Sequence, residues 1–169
     1  MLFDEEPGFA SLLNDGDGRA EVVSSKAFAG ALCLRVTPAQ RYSARIAGWN
    51  YRITQKPSAP DEFRYLRLAW RSTGDGVMVE LASNGQWPKP EDARRRYFAG
   101  KNTTAWQARE VNAAAPTEWR EEILDLWKDC GAFTLTGIAP TAMGGAAFFD
   151  RIELMQQKPE ESAAASRKR

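Results

Sequence analysis

The feature that most limits the fold is the rhythm of the apolar runs. They are short, they alternate with other residues at every second position, and turn residues separate them. Leu32, Leu34 and Val36 alternate with Cys33, Arg35 and Thr37, and Leu66, Leu68 and Trp70 alternate with Tyr65, Arg67 and Ala69. A period of two sends one set to each face of a strand, so each run reads as a half-buried strand. Val77, Val79 and Leu81 make another such run, and the Thr73-Gly-Asp-Gly segment predicts a hairpin joining it to the strand before. Further strands are expected at 94–98, 107–111, 119–124, 133–138 and 146–154. Many short strands at this spacing predict an all-β sandwich or barrel. Helical signal is confined to 120–129, where Gly131 would stop a turn or two.

A chain of 169 residues that is 43% hydrophobic is sufficient for one domain with its own core. The expected domain spans residues 1–157, and 158–169 reads as a disordered polar tail. Residues 1–18 are acidic and end in Asn14-Asp-Gly-Asp-Gly, which reads as loop and turn. With 23 basic and 22 acidic residues the net charge is +1, which supplies no electrostatic reason for a nucleic-acid or anionic-membrane partner. No apolar run approaches the ~20 residues that span a bilayer, so membrane insertion is not expected. The opening Met1-Leu-Phe-Asp-Glu-Glu lacks the basic and apolar regions of a signal peptide.

The chain contains no histidine. That removes Ser-His-Asp and Cys-His nucleophiles, histidine zinc sites and imidazole acid–base chemistry together. The two cysteines, Cys33 and Cys130, are too few for a cysteine-rich metal site and read either as a bridge or as two free thiols. The acidic pairs Glu121 with Asp125 and Asp61 with Glu62 form no recognisable acid–nucleophile arrangement for a glycosidase. An enzyme is not expected.

Three segments taken in order resemble a known pattern. Ser24-Ser-Lys-Ala-Phe-Ala-Gly-Ala-Leu-Cys-Leu-Arg-Val is similar to the small-residue, glycine, alternating-strand opening of many carbohydrate-binding modules with the galactose-binding-like fold. Trp119 through Leu126 resembles their segment of Trp, polar strand and Asp-Leu, and Phe148-Phe-Asp-Arg-Ile-Glu-Leu resembles their closing strand. The likeness covers roughly residues 20–155. It implies a jelly-roll β-sandwich of two antiparallel sheets with little helix, sugar binding by aromatic platforms, and often a structural calcium. More narrowly, Arg64-Tyr-Leu-Arg-Leu-Ala-Trp and the stretch from Phe133 to Gly145 resemble an accessory domain of large exported bacterial proteins, some of which carry c-type cytochrome domains. An extracytoplasmic location follows from that resemblance alone, and no Cys-x-x-Cys-His motif occurs here.

On the closing strand, Phe148, Asp150, Ile152 and Leu154 should share one buried face, which leaves a carboxylate among apolar side chains. In the resembled family this Asp helps to bind calcium together with acids near the N-terminus. Here Asp4, Glu5 and Glu6 are the candidates, with Asp15 and Asp17 next. Calcium takes about 6–8 oxygens, so backbone carbonyls would have to complete the shell. The alternative is that Asp150 accepts backbone N–H bonds or pairs with an arginine.

Sugars offer apolar C–H faces to aromatic rings and hydroxyls to polar side chains. Of the six tryptophans, Trp70 falls on the apolar face of its strand, Trp119 and Trp127 match structural positions of the resembled family, and Trp49 reads as either core or rim. Trp87 and Trp106 lie in polar, turn-rich segments, and loops carry function more often than strands. Asn84 and Gln86 stand ready as hydroxyl partners, while Tyr97 and the basic run Arg94-Arg95-Arg96 could extend the surface, the run reading otherwise as a solvated strand face. Alternation would turn Arg94 and Arg96 to one face. The expected partner is therefore a polysaccharide or oligosaccharide. The competing reading is a structural or interaction sandwich packed on sister domains, with its tryptophans covered.

Overall fold

The computed structural model describes residues 1–16, 19–38 and 40–159. Two β-sheets carry nearly all the regular structure, as the alternation requires. The strands are β1 (Ala20–Val23), β2 (Cys33–Val36), β3 (Tyr51–Ile53), β4 (Glu62–Phe63), β5 (Tyr65–Ser72) and β6 (Gly76–Ser83). They continue as β7 (Arg96–Gly100), β8 (Arg109–Asn112), β9 (Arg120–Asp125), β10 (Phe133–Met143) and β11 (Ala147–Met155). Two single-turn helices complete the set, α1 (Phe9–Leu13) and α2 (Leu126–Cys130). Asp17 and residues 160–169, most of the expected tail, lie outside the described residues.

The five-stranded sheet runs β1-β2-β11-β5-β9 and the six-stranded sheet β4-β3-β10-β6-β7-β8. Pairing is antiparallel except at the two edges of the larger sheet, where β3 with β4 and β7 with β8 run parallel. The fold is an all-β sandwich. Between the sheets lies one apolar core, with Leu34, Val36, Leu66, Leu68, Trp70 and Phe149 from one side and Val77, Val79, Leu81, Tyr97, Leu135 and Ile138 from the other. Burying a side chain of this size contributes about 1.5–3 kcal/mol. Trp49 belongs to this core, in a ladder with Phe9 and Tyr51.

The expected hairpin at 73–76 does not form. Strands β5 and β6 belong to different sheets, so this segment is an arch across the sandwich. Residues 144–146 make a second arch between β10 and β11. The arches lie against each other, Thr73 N donating to Ala146 O and Asp75 N to Met143 O. A Cβ on Gly74 would lie 2.5 Å from the Gly144 carbonyl carbon, so that approach requires glycine. A turn composition marks a reversal without stating which sheet receives the next strand.

A second departure sits in β11. Its register with β5 shifts between Asp150 and Glu153, and Arg151 takes a left-handed φ of 49°. The extra residue of this bulge reverses the alternation. Phe149, Ile152 and Leu154 enter the core, whereas Phe148 and Asp150 point to the outer face. The expected face of Phe148, Asp150, Ile152 and Leu154 is therefore split.

Candidate functional site

Strand alternation on the six-stranded sheet leaves a second set of side chains on its outer face. Opposite the core residues Val77, Val79 and Leu81 stand Met78 and Glu80; opposite Tyr97 and Ala99 stand Arg96 and Phe98. Glu80 and Arg96 are cross-strand partners, and Ala139 of β10 lies on the other side of Glu80. Three loops rise around this row. They are the segments 37–50, 84–95 and 101–108, and together with the sheet they enclose a cavity of about 420 Å³. That is within the usual size of small-ligand sites, about 300–1,000 Å³.

The walls are aromatic and the floor is charged. Tyr42 comes from the first loop, Trp87 and Pro88 from the second, Trp106 and Thr104 from the third, over Glu80, Arg96 and Thr141. Trp87 and Trp106, expected separately from their polar loops, thus meet at one site. Trp106 is 39% exposed, with the Arg96 guanidinium 5.4 Å from its ring centroid. The indole is held from beneath by a cation and left open above.

Arg96 explains why these loops keep their shape. It is 1% exposed and sits at the centre of a web of carbonyls. Its Nη1 donates to Lys89 O (2.8 Å) and Asp92 O (2.9 Å), and its Nη2 donates to Pro88 O. The bond to Glu80 is longer, 3.3 Å from Nη2 to Oε1; Nε lies 3.2 Å from Oε2 without hydrogen-bond alignment. Burial pushes the Glu80 carboxyl above its usual range, against the hydrogen bond and charge of Arg96. The third loop is fixed by its own polar groups. Asn102 Nδ2 donates to Trp106 O, Thr104 Oγ1 donates to Asn102 Oδ1, and Gln107 N donates to Pro90 O. In the first loop, Gln40 Oε1 accepts from Ala142 N of β10.

Besides Arg96 Nε, one further polar atom among the lining residues has no hydrogen-bond partner. The Tyr42 hydroxyl oxygen is buried and makes no hydrogen bond, and desolvation drives its pKa far above the tyrosine range. A buried hydroxyl left unpaired costs about 1–3 kcal/mol.

The other expected binding residues divide. Asn84, Gln86 and Arg95 line a neighbouring depression of about 430 Å³ that shares Trp87 and Pro88 with the cavity. Asn84 and Gly85 take left-handed φ values of 53° and 78° in the tight turn bridged by Ser83 and Gln86. Tyr97 does not extend this surface. It is 1% exposed, packed in the sandwich core, and its hydroxyl meets Asp129 and Cys130. Arg95 holds a φ of 65° just before β7, so the alternation expected from 94 to 97 starts only at Arg96.

Asp150 meets its partners in backbone rather than in a cluster of acids. Its Oδ2 accepts from Phe28 N (2.7 Å) and Ala29 N (3.0 Å), and its Oδ1 from Arg151 N (2.7 Å). Burial raises its pKa, those three N–H groups pull it down, and the Asp4 charge adds to the rise. Glu5 Oε1 accepts from Ala31 N and Leu32 N, and Glu6 Oε2 accepts from Asp4 N. Among the described residues no three acidic side chains are gathered to hold a metal ion. Backbone N–H groups already take up part of the Asp150 and Glu5 oxygens.

The remaining tryptophans are structural. Trp70 is fully buried. Trp119 Nε1 donates to Lys26 O, with the ring beside Phe28, and Trp127 packs on the core under Arg64. Both thiols are free, Cys33 donating to Ser25 O and Cys130 lying 3.4 Å from the Tyr97 hydroxyl.

The chain matches no protein-family model, no curated protein and no solved structure. Glu80 and Tyr42 were not singled out from sequence, and Arg96 was read only as part of the basic run 94–96. The available signal was a lone glutamate inside Gly76-Val-Met-Val-Glu-Leu-Ala, where a charge on an otherwise apolar strand needs a partner.

Proposed function

We propose that this domain is a non-catalytic carbohydrate-binding module that takes a saccharide into the cavity over the outer face of its six-stranded sheet. The observation that carries the reading is the convergence of Trp87, Trp106 and Tyr42 on one cavity above Glu80, Arg96 and Thr141. Aromatic rings suit the apolar face of a sugar, and the polar floor suits its hydroxyls. The chain's role as an accessory domain that holds a larger exported protein to polysaccharide follows from the sequence resemblance.

The test is glycan-array and affinity-gel screening of the wild type beside Trp87→Ala and Trp106→Ala. Each truncation removes a central aromatic contact and is expected to weaken binding at least about fivefold. Retained affinity in both variants overturns the site. Absence of any glycan ligand for a correctly folded wild type overturns the sugar reading and favours a domain that packs on its neighbours.

A further inference from the structure

The depression beside the cavity has a charge character that the cavity lacks. In the cavity the floor charges cancel, because Glu80 and Arg96 form a buried ion pair. In the neighbouring depression the cations are Lys89, Arg94 and Arg95, and the only acidic lining residue among those described is Asp92. Asp92 is already engaged. Both its oxygens accept from Arg94, at 3.0 Å from Nε and 3.0 Å from Nη2, and Oδ1 also accepts from the Arg94 backbone N–H. That pair neutralises itself and leaves Lys89 and Arg95 as the surplus.

Arg95 is placed to keep its charge at this spot. Its Nη1 donates to Leu81 O and its guanidinium lies 5.8 Å from the Phe133 ring centroid. The residue is held in a left-handed backbone conformation that a side-chain-bearing residue adopts at a cost. Such strain persists where surrounding structure fixes it, here the bond of Leu81 N to Arg95 O. Trp87 and Pro88 form the wall common to both hollows, so a ligand ring against Trp87 can extend a substituent over this ridge toward Lys89 and Arg95. Asn84 and Gln86 line the same side and add neutral hydrogen-bonding capacity.

From this asymmetry we infer that the preferred ligand is an acidic saccharide, its ring in the neutral aromatic cavity and its oxyanion substituent in the basic depression. The inference rests on the carbohydrate reading above and names the class within it. A sugar carboxylate and a sugar sulfate ester share the required chemistry, a compact anion with several acceptor oxygens that arginine and lysine donors can meet.

The experiment is a glycan array carrying neutral oligosaccharides beside their uronate and sulfate-ester counterparts. Hits are titrated at 0.1 M and 1 M NaCl, between which the screening length falls from about 10 Å to about 3 Å. Wild type is compared with Lys89→Glu, Arg95→Gln and the distant control Lys56→Glu, all checked by circular dichroism and thermal melting. Expected are hits confined to uronate or sulfate members, with the two arms telling which anion is preferred. Their affinity should fall with salt, and Lys89→Glu should weaken them roughly fivefold or more while Lys56→Glu does not. If Arg95→Gln lowers the melting temperature, the Lys89 variant alone decides. Neutral hits that depend on Trp87, or anionic hits unmoved by Lys89→Glu, overturn the inference and leave the sugar reading standing. No hit of either kind overturns both.

Discussion

Replacing Arg96 by Met should be the most damaging single change near the site, and its cost can be divided. Arg96 is buried to 1% exposure, so methionine keeps the packing volume and deletes only charge and donors. Two losses follow. Glu80, itself only 4% exposed, is left as a buried carboxylate without its cation. Breaking such a pair costs about 3–5 kcal/mol. Pro88, Lys89 and Asp92 also lose the donor that ties the second loop to the sheet. Each buried acceptor left unmet costs about 1–3 kcal/mol, less where water reaches it. The short bonds go to the carbonyls and the longer ones to Glu80, so the loop should dominate. We therefore expect urea unfolding of Arg96→Met to show a loss of about 6 kcal/mol or more, the pair and the three carbonyls together. The double variant Arg96→Met with Glu80→Leu should recover less than half of it. Limited proteolysis should cut Arg96→Met first within 84–95. The pH dependence carries a sign. Burial already lifts the Glu80 pKa in the wild type. A raised folded-state pKa means that stability is full below the unfolded value and is lost as pH rises through the folded value. Without Arg96 that pKa rises further, so the deficit should be larger at pH 8 than at pH 5. A loss under about 1 kcal/mol, or full recovery in the double variant, would refute the bracing role.

Three further outcomes follow from the same geometry. Tyr42→Phe removes a buried hydroxyl that has no partner in the protein, so stability by denaturant melting should hold or rise; a loss of more than about 1 kcal/mol would mean the hydroxyl is bonded within the fold. Asp150→Ala strands the N–H groups of Phe28, Ala29 and Arg151 and should cost about 2–4 kcal/mol, with wild-type melting curves in calcium and in chelator coinciding; a calcium-dependent rise would show a site that binds the folded state. Gly74→Ala forces a Cβ onto the backbone of Gly144 and should lower stability by about 3 kcal/mol, whereas a neutral result would show that the two arches can separate.

The sandwich was legible because burial on one side imposes a period of two, and period two survives in sequence. Each expected strand has an observed counterpart, from Cys33–Val36 to Ala147–Met155. What escaped is whatever breaks or redirects that period locally. The bulge at Arg151 inserts one residue and sends Asp150 outward, where strict alternation had placed it with Ile152 and Leu154. The arch at 73–76 has the composition of a hairpin turn, and only the partners of β6, which are β10 and β7, reveal that the chain has changed sheets. Tyr97 misled for a related reason. Its neighbours Arg94, Arg95 and Arg96 suggest a solvated face, yet the left-handed turn at Arg95 resets the phase, and Tyr97 enters the core.

The candidate site divides along the same line. Trp87 and Trp106 could be read from sequence because an indole in a polar, turn-rich loop has no local apolar neighbour to bury it. Their meeting could not, since strand β7 separates residues 87 and 106 in the chain and the contacts that bring them together, Arg96 among them, carry no sequence pattern. The burial of Arg96 was not readable for the opposite reason: it sits in a run of three arginines, where charge ordinarily means solvent. Its burial depends on Glu80, sixteen positions earlier on the adjoining strand, and on three carbonyls that carry no sequence signature at all. A charged pair placed beneath aromatic loops costs desolvation that an apolar pair would not, and a fold indifferent to the shape of those loops would do better with leucine and methionine. The pair therefore implies that the position of Trp87, Pro88 and Trp106 matters to what this domain does, since holding them is the one thing this arginine does that an apolar side chain could not.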